Sequence, residues 1–445
     1  MIGTAWEALD KGATVTFVYN NPDEVLRSHV KRSREVLDEP RIRKVNLTTG
    51  PMAITGSTRM QATSIQLLAL LTVLEMTLRE VLARAGAAEP TAGPSSSVLE
   101  EMREGLRALH AELASEELRS DLGRLVMAEE KVYREGTRTS YFADSLAVDV
   151  LTDTTERSPT FCTPSFRKWD DEAAAESWAY LFTPPPSTEE AWTRLLRRDP
   201  WTIEWTEDDL RALLDEEAAE RQGAVLSEIR REELMRFRIG LDGRADRPAR
   251  SGDGITVVVA EPDLPHLEMD APFARALEQA REAGAATAVI GAGRRAALAR
   301  LAEGVATGNG ETLVVGLEIP PIPFLLEPLT HAGVKMLLNA LSTCTMVRLG
   351  RVLGNRMIWV VPSNLKLIDR SIRYIQDLAG ASYEDACHAL FEVIEYVEPR
   401  RRAGQAYPAP VGVASMHLRH GLNLEEAETR LARELDGDTR PPLAP

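Results

Sequence analysis

The apolar positions of this chain fall into two kinds of pattern. Short continuous runs, TVTFVY at 14–19, ITVVVA at 255–260, ATAVI at 286–290 and LVVGL at 313–317, have the length and β-branched content of strands buried on both faces. IRKVNL at 42–47, TSYFA at 139–143 and MIWVV at 357–361 read as further strands. Between the runs the apolar period lengthens to that of helices: 4–11, a second helix ending near Leu37, two helices within 98–133, a long one over 330–353 and another over 365–378. Strands alternating with helices imply parallel sheets covered by helices, because parallel neighbours need a crossover between them.

A strong helix signal follows a turn crowded with Gly, Ser and Thr, TTGPMAITGSTRM at 48–60. Behind this turn Ile65, Leu67, Leu68, Leu70, Leu71, Leu74 and Leu78 read as one buried stripe. AAEPTAGPSSS at 87–97 is a loop, and Gly291-Ala292-Gly293 reads as a turn rather than a dinucleotide site, lacking a full GxGxxG. Residues 165–250 form an insertion rich in Trp, Pro and charge. Its Trp169, Trp178, Trp192, Trp201 and Trp205 are expected to pin it to a core, 207–239 to form a long amphipathic helix, and 245–253 to act as a hinge. Ser382, three residues before Asp385, opens a small helical region, and the PPLAP tail at 441–445 is expected to fray.

At 445 residues the chain has room for two or three domains. Its net charge of −16 argues against a broad nucleic-acid surface, though an acidic protein still accommodates a local positive pocket. Cys162, Cys344 and Cys387 are far apart and form no CxxC, so neither a zinc site nor a disulfide framework is expected, and a reducing cytoplasm is the expected compartment. No stretch approaches the roughly 20 apolar residues of a membrane span, and the N-terminus lacks a basic region followed by an apolar run.

Free N–H groups at a helix start, with hydroxyls and a cation alongside, suit an anion. Ser57 and Thr58 are the candidate hydroxyls and Arg59 the candidate cation. An ordinary Ser/Thr cap fits the same letters. Lys366, at the loop-to-helix start in PSNLKL, is the candidate ammonium, with a solvated lysine as the alternative. His331 and Lys335, one helical turn apart, face either a pocket or the end of a buried helix. His417 and His420 have no Asp or Cys beside them, so no metal is expected, and no cofactor is called for.

The wording of these segments adds a resemblance. TGPMAITGSTRMQA resembles the signature of the N-acetylmuramic acid 6-phosphate etherases and the glucokinase regulatory proteins, both built on the sugar isomerase (SIS) domain. LNALST at 338–343, GRVLGNRM at 350–357 and PSNLKL at 362–367 resemble the same family's next helix and strand, and TERSPTF at 155–161 resembles a segment carrying a catalytic glutamate before a Pro-Thr-Phe turn. The split signature resembles the tandem arrangement of the regulatory proteins. It implies an α/β protein of SIS-type parallel sheets flanked by helices: a partial first SIS domain at 1–86, a helical linker at 87–136, a complete second SIS domain at 137–380 containing the insertion, and a small C-terminal helical lid at 381–440. The earlier half of the first domain, with its phosphate loop, is expected to be missing through a misplaced start codon. The second domain's phosphate loop would fall on residues 143–147, where glycines are absent and Asp144 would repel a phosphate.

What the resemblance implies for function is a sugar-phosphate-binding protein like the glucokinase regulators. A phosphorylated sugar or amino sugar at the junction of two domains would alter a partner surface, with a sugar kinase as the partner and a homodimer as the assembly. The alternative is a lyase cleaving the D-lactyl ether of N-acetylmuramic acid 6-phosphate, ahead of an aldose–ketose isomerase. Glu156 matches the family's catalytic glutamate. No segment matches the family's second glutamate; Glu318 and Glu327, flanking the proline turn, are candidates by nearness to a strand end alone. Met52 and Gln61 depart from the etherase pattern, and the second domain's counterpart of GSTR reads FLLE at 324–327. These departures weigh towards binding.

Overall fold

The apolar runs and periodic segments fold into an α/β architecture of parallel strands flanked by helices. The computed structural model describes residues 2–87, 93–202, 204–227, 229–306, 312–362, 364–403 and 407–436. The tail at 441–445 and residues 88–92 of the AAEPTAGPSSS stretch lie outside that set. Two compact units divide the chain.

The first unit comprises Met1–Leu106, Ile322–Ala332 and Gly354–Arg356. It runs α1 (Ile2–Asp10), β1 (Thr16–Tyr19), α2 (Asp23–His29), α3 (Lys31–Asp38), β2 (Arg43–Asn46) and α4 (Ala62–Arg84). β1 and β2 pair in parallel with Thr16 opposite Arg43. Ala5, Val15, Val36 and Ile42 form a small core, with Trp6, Leu9 and Phe17 packed on it. The stripe expected on α4 is corrected here. Leu68 is buried, but Leu70 and Leu74 are each 54% exposed, and the buried face is instead Ala62, Ser64, Leu68, Glu75 and Arg79. α4 is apolar around most of its circumference, so periodicity alone did not single out a face. The face is chosen by a charged pair that finds partners inside.

The second unit comprises Arg107–Pro321, Gly333–Leu353 and Met357–Pro445. α5 (Val98–Leu113) leads into α6 (Glu116–Arg134), β3 (Thr139–Ala143), α7 (Ala147–Phe161), β4 (Ala179–Phe182), α8 (Thr188–Leu196), α9 (Glu207–Leu213), α10 (Glu216–Ser227) and α11 (Arg231–Met235). Then come β5 (Gly254–Ala260), α12 (Pro272–Glu282), β6 (Ala286–Gly293), α13 (Arg295–Ala306), β7 (Thr312–Glu318) and α14 (Pro328–Arg348). Two short strands, β8 (Val352–Leu353) and β9 (Arg356–Met357), precede the helices α15 (Leu365–Ala379), α16 (Tyr383–Arg402), α17 (Pro410–His420) and α18 (Leu424–Asp436).

The sheet of this unit has the order β4-β3-β5-β6-β7, all parallel. Every residue of β5 is buried, as its unbroken apolar run requires of a central parallel strand. Ile255, Val257 and Val259 share one face with Phe273 and Leu277 of α12 and Leu301 of α13.

Four readings of the sequence are corrected in this unit. The 165–250 segment supplies an edge strand, β4, whose four residues AYLF are too short a run to stand out. Residues 207–239 form three helices rather than one, broken at Leu214 and again before Arg231. Gly291-Ala292-Gly293 ends strand β6, pairing with Gly316 to Glu318 of β7. Residues 357–361 form no strand beyond Met357. The tryptophans divide: Trp192 is buried and donates Nε1–H to the Phe237 carbonyl, and Trp178 stacks on Tyr133, whereas Trp169, Trp201 and Trp205 are exposed.

α15 to α18 pack on one another, and Ser382 caps α16 by accepting the Asp385 N–H at 3.1 Å, as its sequence signalled. Glu428 of α18 accepts two hydrogen bonds from Arg400 of α16, at 2.9 Å each, and one from the Tyr396 hydroxyl at 2.7 Å. Arg400 first, and Tyr396 after it, hold the Glu428 carboxyl below its ordinary value of 4.5. A depressed carboxylate stabilises the fold above its unfolded pKa, and that contribution is lost as pH falls through the folded value. Because the pair is about one-third exposed, about 0.5–1 kcal/mol is at stake. Melting profiles of wild type and Glu428→Gln are expected to converge as pH drops below about 4.5. A gap that stays constant from pH 7 to pH 3 would refute this.

Candidate functional site

The hydroxyl-rich turn is built by local geometry. Gly50 and Gly56 adopt φ of +89° and +78°, a region open to glycine at little cost, which lets the chain reverse twice before α4. Gln61 straps the turn: its Nε2–H donates to the Pro51 carbonyl at 3.0 Å, and its Oε1 accepts the Ala53 N–H at 2.5 Å. Thr55 N–H donates to the Asn355 carbonyl, and Arg356 donates to the Thr55 hydroxyl at 3.0 Å. Ser57 and Arg59 are buried and Thr58 is exposed. The helix does not begin at the hydroxyls. Its N-cap is Gln61, without a side-chain cap bond, while Thr63 and Ser64 bond back to the Arg59 and Met60 carbonyls. The ordinary Ser/Thr capping reading is therefore corrected.

Ser57, Thr58 and Arg59 belong to the first unit, and Glu156 and Lys366 to the second. Lys366 is exposed, the second residue of α15, whose N-cap Asn364 accepts the Leu367 N–H. Glu156 is half-buried on α7. That helix runs through Pro159 to Phe161 and closes at Cys162 in the left-handed region, so the expected Pro-Thr-Phe turn is helical. Lys335 is buried and donates to Asn339 at 3.0 Å. Glu318 pairs with Arg295 at 2.8 Å. Glu327 adopts φ of +48°.

Next to Glu156 on the same helix lies a polar network that motif reading missed. Arg157, 2% exposed, meets Glu129 at 2.7 Å and Asp153 at 2.9 Å, and donates to the hydroxyls of Tyr141 and Tyr133 at 2.9 and 3.1 Å. The second Asp153 oxygen accepts from Asn339 at 3.0 Å and Ser342 at 2.9 Å. Burial opposes the Arg157 charge, but Glu129, Tyr141 and Asp153 outweigh it and hold the guanidinium well above its ordinary pKa. Burial, reinforced by Glu129, pushes both tyrosine hydroxyls up. Asn339 and Ser342 belong to LNALST, so part of that motif serves to seat Asp153. The i, i+4 pairing of Asp153 with Arg157 was the available sequence signal.

The strand order reverses direction between β3 and β5, the position where open α/β sheets bind ligands at their carboxyl ends. Here the residues at the strand ends pair with one another. Asp144, directly after β3, accepts from Arg194 Nε at 2.6 Å and lies 2.8 Å from His266 Nε2. Ser145 donates its N–H and hydroxyl to Asp263 at 3.3 and 2.6 Å. Asp144, Asp263 and His266 bring ligand atoms within 4.8 Å of one another, but Asp144 and Asp263 already have cationic or donor partners.

No family model matches the chain. Curated proteins do. The N-acetylmuramic acid 6-phosphate etherase of Mycolicibacterium smegmatis is 33% identical over 213 residues, 46% of this chain and 63% of that protein. The protein of the same name from Synechococcus sp. (strain CC9605) is 40% identical over 110 residues, 25% of this chain and 30% of its own length. That from Staphylococcus aureus (strain USA300) is 39% identical over 102 residues, 23% of this chain and 29% of its own. The chain thus spans between 29% and 63% of the length of these relatives.

Proposed function

We propose that the chain, similar to N-acetylmuramic acid 6-phosphate etherases over part of its length, is a SIS-domain protein of that family and acts on a phosphorylated amino sugar as a lyase of the etherase type. The observation that carries this reading is that similarity to proteins bearing the etherase name extends over 46% of the chain. It favours the lyase over the glucokinase-regulator reading. Ser57, Thr58 and Arg59 are the proposed phosphate ligands of the first unit, through hydroxyl and guanidinium donors. Lys366, exposed on α15, is the proposed ammonium of the second.

Loss of a lactyl ether by elimination breaks the sugar C2–H and C3–O bonds and forms a C2–C3 double bond. A base must take the C2 proton and an acid must protonate the departing ether oxygen. Glu156 is the proposed carboxylate for one of these steps. The test is release of D-lactate from N-acetylmuramic acid 6-phosphate. Wild type is expected to turn over, and Glu156→Gln to lower kcat about a hundredfold, at the low end for loss of a general acid or base. Ser57→Ala is expected to raise KM with a smaller effect on kcat, since it removes ground-state binding. Stabilisation by the sugar phosphate without any lactate release would overturn the lyase and favour a regulatory binding protein. The paired carboxylates Asp144 and Asp263 at the strand ends of the second unit are the observation on that side.

A further inference from the structure

The 165–250 segment lines a half-open cleft of about 110 Å³ beside the edge strand β4. Its wall carries four cations, Arg167, Lys168, Arg238 and Arg247, against two carboxylates, Glu176 and Asp246. On a chain of net charge −16 this is a local reversal of sign.

The cations are engaged unequally. Lys168 pairs with Glu233 at 2.6 Å, and Arg238 pairs with Asp246 at 3.0 Å while lying 3.7 Å over the Trp169 ring. Arg247, only 7% exposed, has weaker compensation. Its Nε and Nη2 donate to the neutral oxygens of Ser140 and Thr139, at 2.9 and 3.1 Å, and its Nη1 lies 3.9 Å from Glu176, beyond hydrogen-bond reach. Glu176 is also the partner of Arg138, a second buried guanidinium, which has Asp253 at 3.5 Å. Two buried guanidinium groups thus share one buried carboxylate and one that is 42% exposed. Burial first, and Arg138 next, disfavour the Arg247 charge and bring its pKa down to about 9. Buried cations lacking full compensation favour an added anion.

We propose that this cleft is an oxyanion site that takes the phosphate group of a small molecule, with Arg247 as its principal ligand and Lys168 and Arg238 at its wall. Tyr180 and Trp169 also line the cleft, with Arg247 and Arg238 over their rings. The site is separate from the Ser57 turn and does not depend on the lyase reading. Glu176 competes with the phosphate for Arg247, so its removal should improve binding.

Equilibrium dialysis with inorganic phosphate tests this, using Ser57→Ala protein to weaken the proposed turn of the first unit, and the further substitutions below to separate the two contributions. Added to that background, Arg247→Met is expected to weaken phosphate binding at least tenfold, the loss of a charge-assisted contact. Glu176→Gln is expected to tighten it several-fold. A purely structural arginine would not produce this opposite pair of effects. No phosphate uptake by the Ser57→Ala protein would overturn the proposal, as would a dissociation constant insensitive to both further changes. Should Arg247→Met fail to fold, Glu176→Gln alone decides: tightening supports the site, and no change or weakening rejects it.

Discussion

Arg157→Met is expected to destabilise the second unit by about 3–5 kcal/mol, because it removes the cation from between two buried carboxylates. Glu129 and Asp153 would remain, 3% and 2% exposed at their side chains, with the Tyr133 and Tyr141 hydroxyls also losing an ionic neighbour. For a domain of this size each kcal/mol moves Tm by roughly 2–4 °C, so a fall of roughly 6–20 °C is expected by calorimetry. Arg157→Lys should fall between, since one ammonium keeps the charge but cannot reach both carboxylates and both hydroxyls in a fixed fork. Tyr133→Phe should cost less, about 1–3 kcal/mol, since it removes one hydrogen bond donated to Glu129 and one accepted from Arg157. A loss below 1 kcal/mol for Arg157→Met would mean the network is dispensable. Glu156 precedes Arg157 on α7, so if Glu156 holds the role proposed above, kcat is expected to fall in Arg157→Lys even where the protein is fully folded.

The second large effect lies in the first unit. Glu75, fully buried on α4, accepts the backbone N–H groups of Leu325 (3.0 Å) and Leu326 (3.1 Å) and pairs with Arg79 at 2.8 Å. Arg79 in turn meets Glu101 at 2.8 Å, the Gly93 and Pro323 carbonyls, and the face of Phe324. Segment 323–326 is thus tied to α4 by a carboxylate seated on two consecutive amides. Glu75→Ala leaves those amides without their acceptor and Arg79 with a single carboxylate. The expected cost is about 3–4 kcal/mol. Amide exchange at Leu325 and Leu326 should accelerate about a hundredfold or more, whereas Glu75→Gln, which retains one acceptor, should accelerate it less. Unchanged protection at these two amides in Glu75→Ala would contradict the arrangement. It also accounts for the FLLE sequence at 324–327: its backbone holds an internal anion, so no hydroxyl is needed there.

The parts of this fold that the sequence displays are those whose physics is local. β5 and β6 are apolar runs flanked by Gly and polar residues, and α16 announces itself through Ser382 and Asp385. β4 does not, because four residues between Trp178 and Thr183 become a strand only when β3 offers them an edge to pair with. α4 misled in the other direction, since a helix apolar on nearly every side gives no preferred face until Glu75 and Arg79 meet their partners. The site shows the same division. Ser57, Thr58 and Arg59 are adjacent and could be read together. Glu129, Asp153, Arg157 and Asn339 come from three separate helices, and only the fold brings them into contact. Gln61, a departure from the family pattern, is explained by the two bonds with which it straps the turn.

The pairing of β3 with β5 joins residues 115 positions apart, Thr139 opposite Gly254. During synthesis at about 5–20 residues per second, β3 therefore waits roughly 6–23 s for the strand that completes the middle of its sheet. Throughout that interval the edge of TSYFA stays open on one side, and the short strand β4 is the partner at hand on the other. β4 thus doubles as an early guard for an aggregation-prone edge while the ribosome is still at work.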